Sequence, residues 1–92
     1  MKVNDSAVLA IRVHPQDNVA VVTVDVSAGS AVRLDDGTTL CAVEVIAHGN
    51  KVALRAIARG EAVIRYGEEI RTATEDIIAG QHVHTHNMRR GE

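Results

Sequence analysis

The chain has 92 residues with a formal net charge of -2, and acidic and basic residues are interspersed along it. One small domain, 1–92, near the lower size limit for a single core, is therefore expected. The mixed charge gives no basic face for nucleic acid, and the single aromatic residue, Tyr66, leaves no stacking platform for bases.

The apolar share is carried by Val, Ala, Ile and Leu, with no Trp and no Phe. Branched side chains fit a pleated surface, so the composition predicts a mostly β fold. The lone cysteine, Cys41, excludes an intrachain disulfide and favours a reducing, cytoplasmic setting. "TTLCAVEV" gives that thiol no neighbouring base, so it reads as structural, inside an apolar strand. No apolar run reaches the ~20 residues that span a bilayer, and Asp5 stands where a signal peptide would be apolar.

In chain order, "SAVLAIRV" and "NVAVVTVDV" are predicted strands flanking "HPQD", where Pro15 and Asp17 suit a turn. "AVRL" precedes "DDGT", with Gly37 placed for a positive φ, and "TTLCAVEVI" follows. "KVAL", "EAVIRY", "EIRTAT" and "QHVHTHNM" complete the series, and Gly60 makes "KVALRAIARGEAV" strand, turn, strand rather than helix. "DVSAGSAV", "AIARGEAV" and "DIIAGQHV" share one spacing: an aliphatic residue, two positions, Gly, two positions, Val. Each copy reads as a tight turn around Gly29, Gly60 or Gly80, giving a compact folded ribbon of short strands. Exposed strand edges in such a domain favour a homo-oligomer.

"QHVHTHNM" carries the most chemistry. In one strand, His82, His84 and His86 would share a face, about 6.5–7 Å apart at successive Cα atoms. Two imidazoles at that spacing can grip one ion, and the pair so placed is His84 and His86. A third ligand would have to come from elsewhere in the fold or from another chain. The residues alone leave metal or substrate contact and a solvated histidine face equally open.

Three further candidates are weaker alone. His14 and Asn18 in "HPQDNVAVV" either line a pocket rim or simply build a turn. Lys51 and Arg55, on one side of a predicted strand, suit a small carboxylate, against the background of ordinary surface cations. Tyr66, beside Gly67, is either the largest core piece or a hydrogen-bonding acid in a site. There is no nucleophile elbow, phosphate loop, CxxC or dinucleotide fingerprint, so the chain reads as a binding module or as one part of an enzyme.

Taken in order, "HPQDNVAVV…DVSAG", "GNKVALRAIARGEAVIRYGEEI" and "ATEDIIAGQHVHTHN" resemble the small N-terminal domain of the altronate and galactarate dehydratase family. The resemblance runs from about 12 to 87, leaving 88–92 as a frayed tail. It implies a SAF-type β-clip fold, which in some relatives forms a separate small subunit. It also implies a part of a hydro-lyase that eliminates water from a small sugar-acid substrate, with a divalent metal, iron or manganese. A large catalytic dehydratase subunit is the implied partner, and a sulfo-lyase small subunit or a stand-alone SAF-type binding module are the competing readings. On this resemblance the catalytic candidates are Lys51, Tyr66 and His86. The substrate-binding candidates are His14, Asn18 and Arg55, and the metal candidates are His84 and His86. Two departures stand out: Asn50 where relatives often carry a histidine, and Arg71 where a glycine usually follows YGxxI.

Overall fold

A computed structural model describes residues 8–89. Nine short strands run β1 Ala10–Ile11, β2 Val19–Val22, β3 Ala31–Arg33, β4 Thr39–Cys41, β5 Lys51–Ala53, β6 Ala62–Arg65, β7 Glu68–Ala73, β8 His82–Val83 and β9 Met88–Arg89. All pair antiparallel, in the orders β1-β2-β5-β8, β3-β4 and β6-β7-β9. The mostly β expectation holds, and among the described residues no helix is long and apolar enough to cross a membrane.

The strands stay short because turns interrupt them at fixed intervals. The turns 27–30, 47–50, 58–61 and 78–81 each return the fourth N–H to the first carbonyl, at 2.9–3.2 Å. Their glycines, Gly29, Gly49, Gly60 and Gly80, sit at φ 86 to 88°, the left-handed value a type II turn needs at its third residue. The expected repeat thus has a fourth copy, "VIAHGNKV", with the same spacing. The copies work in pairs. Val26 exchanges both backbone hydrogen bonds with Ile46, and Ile57 does the same with Ile77.

The two pairs are one unit used twice, 31 positions apart, as Gly29 to Gly60 and Gly49 to Gly80 show. The cores repeat with them. Val22, Val26, Val32, Ala42, Ile46 and Val52 of the first cluster correspond to Ala53, Ile57, Val63, Ala73, Ile77 and Val83 of the second. Strand side chains alternate between faces, so the sheet holding β2 and β5 feeds both clusters, Val52 entering one and Ala53 the other.

Several expectations change. "QHVHTHNM" is not one strand: β8 ends at Val83, residues 84–87 form a turn, and β9 follows. Met88 and Arg89 are therefore not frayed; Met88 is buried in the second core and pairs with Ala73. Residues 90–92 of the expected tail lie outside the described residues. Cys41 lies in β4 as an exposed thiol rather than inside an apolar strand.

Candidate functional site

The turn after β8 is folded by Asn87, which is wholly buried. Its Oδ1 accepts the His84 N–H at 2.9 Å, and its Nδ2 donates to the His82 carbonyl at 2.8 Å. An Asx side chain bonding its own backbone competes with the sheet ladder and bends the chain. The bend still gathers the imidazoles, by a different route from strand alternation. The His82 ring lies 5.6 Å from that of His84, stacked at 10°, and 5.2 Å from that of His86, tilted at 43°. His84 and His86 are exposed, whereas His82 is half-buried and its Nε2 is buried without a hydrogen-bond partner. Burial pushes the His82 pKa down, and the His86 and His84 charges push it further. The Glu44 carboxylate, which accepts the His82 N–H at 2.9 Å, opposes this, and Lys51 reinforces it.

Lys51 stands in β5 between Val21 of β2 and Val83 of β8, half-buried. Burial holds its ammonium below the usual lysine value, and the charges of Arg65 and Arg71 lower it more. Arg65 in turn leads to Tyr66. Its Cζ lies 4.5 Å from the Tyr66 ring centroid, and its Nη2 donates to Tyr66 Oη at 2.7 Å. Tyr66 is 54 % exposed, so it is not a core residue. With φ 58° it shares the two-residue β6–β7 turn with Gly67 at 76°, both left-handed as a type I′ hairpin turn demands. A non-glycine residue in that region costs about 1–2 kcal/mol.

His14 packs over the same turn: a Cβ on Gly67 would stand 2.9 Å from His14 Cδ2. Asp17 fastens the two, its carboxylate accepting Gly67 N–H at 2.7 Å and His14 N–H at 3.1 Å. Burial raises the Asp17 pKa, but the backbone donors of Gly67, Tyr66 and His14 outweigh it and leave the pKa lowered. His14 thus touches the turn that holds Tyr66, Arg65 contacts Tyr66, and Lys51 feels the charge of Arg65 and acts in turn on His82.

Two candidates stand apart from these contacts. Asn18 is 1 % exposed, with Oδ1 accepting Ile64 N–H at 2.8 Å and Nδ2 donating to Ala62 O at 2.9 Å. It ties β2 to β6 and offers a ligand no surface, so a pocket-rim role is corrected to a structural one. Arg55 does not share a strand face with Lys51, because β5 ends at Ala53. Its Nη1 pairs with Glu61 Oε2 at 2.9 Å beside the following turn.

An imidazole lone pair lies in the ring plane, so the stacked, nearly parallel rings of His82 and His84 cannot both aim at one ion; this leaves the expected pair, His84 and His86, untouched. Among the described residues no group of three or more His, Cys, Asp or Glu could hold a metal. The histidines present do not by themselves fit one. Sequence reasoning assigned no site role to Arg65, Arg71, His82 or Asn87. The first two could have been found by laying the halves over each other, since Leu34 and Leu40 stand at the matching positions.

The family described as the altronate/galactarate dehydratase SAF domain matches residues 8–91. The chain belongs to this family. An altronate dehydratase of Escherichia coli is 47 % identical over 79 residues, which are 86 % of this chain and 16 % of that enzyme. A galactarate dehydratase (L-threo-forming) of the same organism is 41 % identical over 70 residues, 76 % of this chain and 13 % of the enzyme. The SAF domain therefore spans only a small part of these dehydratases. A (2R)-sulfolactate sulfo-lyase subunit alpha of Chromohalobacter salexigens is 37 % identical over 84 residues, covering 84 % of this chain and 89 % of that subunit. The SAF-type expectation and its lyase association hold at this level.

Proposed function

We propose that this SAF domain is the small part of a sugar-acid hydro-lyase of the altronate/galactarate dehydratase type, acting as a subunit that completes the active site of a larger catalytic partner. The observation that carries this reading is the cluster of His82, His84 and His86 beside Lys51: acid–base groups gathered at a surface edge, two of them exposed. Eliminating water from a 2,3-dihydroxy acid requires removing a poorly acidic proton α to a carboxylate, stabilising the charge that develops, and protonating the leaving hydroxyl. In this reading Lys51 holds the substrate carboxylate, His86 exchanges the proton with the leaving hydroxyl, and Tyr66 and His14 hold hydroxyls further along the edge.

A divalent iron or manganese ion belongs on the larger part in this reading. His84 and His86 add at most two imidazoles to it, and no step here is routed through the ion. Exposed Val24, Val43, Val45 and Ile78 supply apolar surface for the docking. The cytoplasmic setting is part of the same proposal.

The test is to purify the chain alone and together with its partner from the native cell extract, and to assay both for keto-acid release from aldonates and aldarates. Turnover is expected only with the partner, and His86→Gln should lower kcat by about 10²–10⁴-fold. Turnover by the isolated chain, or full activity of the partner without it, would overturn the reading. A second reading, the small subunit of a sulfo-lyase, is favoured by the near-equal length of the sulfolactate relative. Sulfite rather than water leaving from sulfolactate in the same assay would select it.

A further inference from the structure

The turn at Gly60 and the strands β7 and β9 enclose a cleft of about 160 Å³, lined by Arg59, Gly60, Thr72, Ala73, Thr74 and Arg89. Strand register sets the lining. Thr72 stands directly opposite Arg89, so their side chains leave the same face of the sheet. The neighbouring pair, Ala73 and Met88, points the other way into the second core. Arg59 is the second residue of the turn 58–61. That turn is held to β7 by two hydrogen bonds of 2.9 Å, Gly60 N–H to the Ala73 carbonyl and Ala73 N–H to the Glu61 carbonyl. Two guanidiniums and two hydroxyls therefore border one cleft, and a Cβ on Gly60 would meet nothing within 4 Å, so its backbone is open too.

The first half has the same backbone hydrogen bonds here and none of this chemistry. Gly29 donates to Ala42 at 2.7 Å, and Ala42 donates to Ser30 at 2.9 Å. The positions matching Arg59, Thr72 and Thr74 are Ala28, Cys41 and Val43. That strand end is also covered: Val43 N–H donates to the Gly80 carbonyl at 2.9 Å, and a Cβ on Gly80 would run into the Cys41 carbonyl. In the second half the Asn87 carbonyl takes the corresponding Thr74 N–H at 3.0 Å, and the cleft stays open beside it.

The two cations of the cleft have no counter-charge. Among the described residues the ion pairs are Arg12 with Asp36 and Arg55 with Glu61. Glu61 is engaged by Arg55 and by the Ala58 N–H, and Asp76 accepts the backbone N–H of Arg59 at 2.9 Å rather than its guanidinium.

We propose that this cleft binds a tetrahedral oxyanion, a phosphate group. Each guanidinium offers a fork of N–H donors and each threonine a hydroxyl, so donors come from several sides. A tetrahedral ion spreads its oxygens in three dimensions to meet them, whereas a planar carboxylate has two oxygens and answers one fork. The space is about ten times what one water needs, enough for an ion of five heavy atoms. Both arginines are exposed, so the affinity is modest and falls with salt. No residue of the cleft belongs to the site proposed above, and the hydro-lyase reading neither supports this inference nor depends on it.

The experiment titrates the full chain with inorganic phosphate, methyl phosphate and succinate, at one pH and ionic strength, following backbone amide and arginine Nε–Hε signals by NMR. Succinate carries its charge on planar groups and separates shape from charge. Phosphate should bind at least about fivefold tighter than succinate and should move the signals of Arg59, Thr72, Thr74 and Arg89. Arg59→Gln and Arg89→Gln should each weaken phosphate about threefold or more, and Arg33→Gln should leave it unchanged. Thr74→Val, which copies the first half, should weaken it about twofold. Tighter binding of methyl phosphate assigns the cleft to the end of a phosphomonoester, and equal or tighter binding of inorganic phosphate to the free ion. Equal affinity for phosphate and succinate, or phosphate affinity unchanged in both arginine variants, overturns the cleft.

Discussion

The two halves of this domain share a backbone plan and part company in their margins. Six core positions stay apolar in both, from Val22 and Ala53 at one end to Val52 and Val83 at the other. Ala20 and Leu34 belong to the first core and Leu40 packs against it, while the positions 31 later in the second half are Lys51, Arg65 and Arg71. The hairpin tips differ too. The first runs through Asp35, Asp36 and Gly37, while the second is cut to Tyr66 and Gly67 and carries a bulge near Val63 and Ile64. Close-packed interior sites tolerate little change in volume, whereas sites at the margin can trade apolar contact for solvent or ligand. A duplicated core thus lets the two copies differ in their margins while the interior stays the same.

The largest effects should test the shared part. Ile46→Ala and Ile77→Ala each remove a buried side chain at matched positions and should cost about 2–5 kcal/mol in urea unfolding. Costs that differ by more than roughly half would break the equivalence of the cores. Next come the two buried amides. Asn18→Ala and Asn87→Ala each strand backbone groups and should cost about 1–3 kcal/mol. Only the Asn87 change should shift the imidazole signals of His82, His84 and His86, because only Asn87 shapes their turn.

A smaller effect of opposite sign probes the divergent part. The triple change Lys51→Ala, Arg65→Leu and Arg71→Leu rebuilds the second rim in the image of the first. It should leave stability unchanged or raise it by about 1–2 kcal/mol, since apolar groups often replace buried charge at no loss. A marked loss would show that the rims are not equivalent.

The smallest effect is a pH dependence. The folded state lowers the His82 pKa from 6.5, by burial and by the other imidazoles, so the unfolded chain takes up that proton more readily. The associated stability is present above 6.5 and is lost as pH falls through the folded value. Unfolding curves between about pH 7.5 and pH 5 should show this slope, and His82→Gln should flatten it. An unchanged slope would mean that His82 does not feel the cluster.

Much of the framework was legible in the residues. Branched side chains and glycine spacing predicted short strands and tight turns, and "HPQD" and "DDGT" were read as turns. The fourth turn, around Gly49, carries the same spacing and was overlooked because the copies alternate between intervals of 20 and 11 positions. The site was less legible. Strand alternation put three histidines on one face, yet their meeting depends on a side chain, Asn87, taking over backbone hydrogen bonds. Arg65 carried no reading and Arg71 only that of a departure from a family glycine, because nothing local marks them as the counterparts of Leu34 and Leu40.

The sequence by itself determined where the chain turns and which positions are apolar, because glycine's left-handed backbone and β-branched packing act over a few residues. Only the tertiary structure decided that Lys51 is half-buried, that Arg55 pairs with Glu61 away from it, and that Asn18 is buried. Those outcomes hang on strand register and on where each ladder stops. Both are settled by contacts between residues far apart in the chain, which no local pattern encodes.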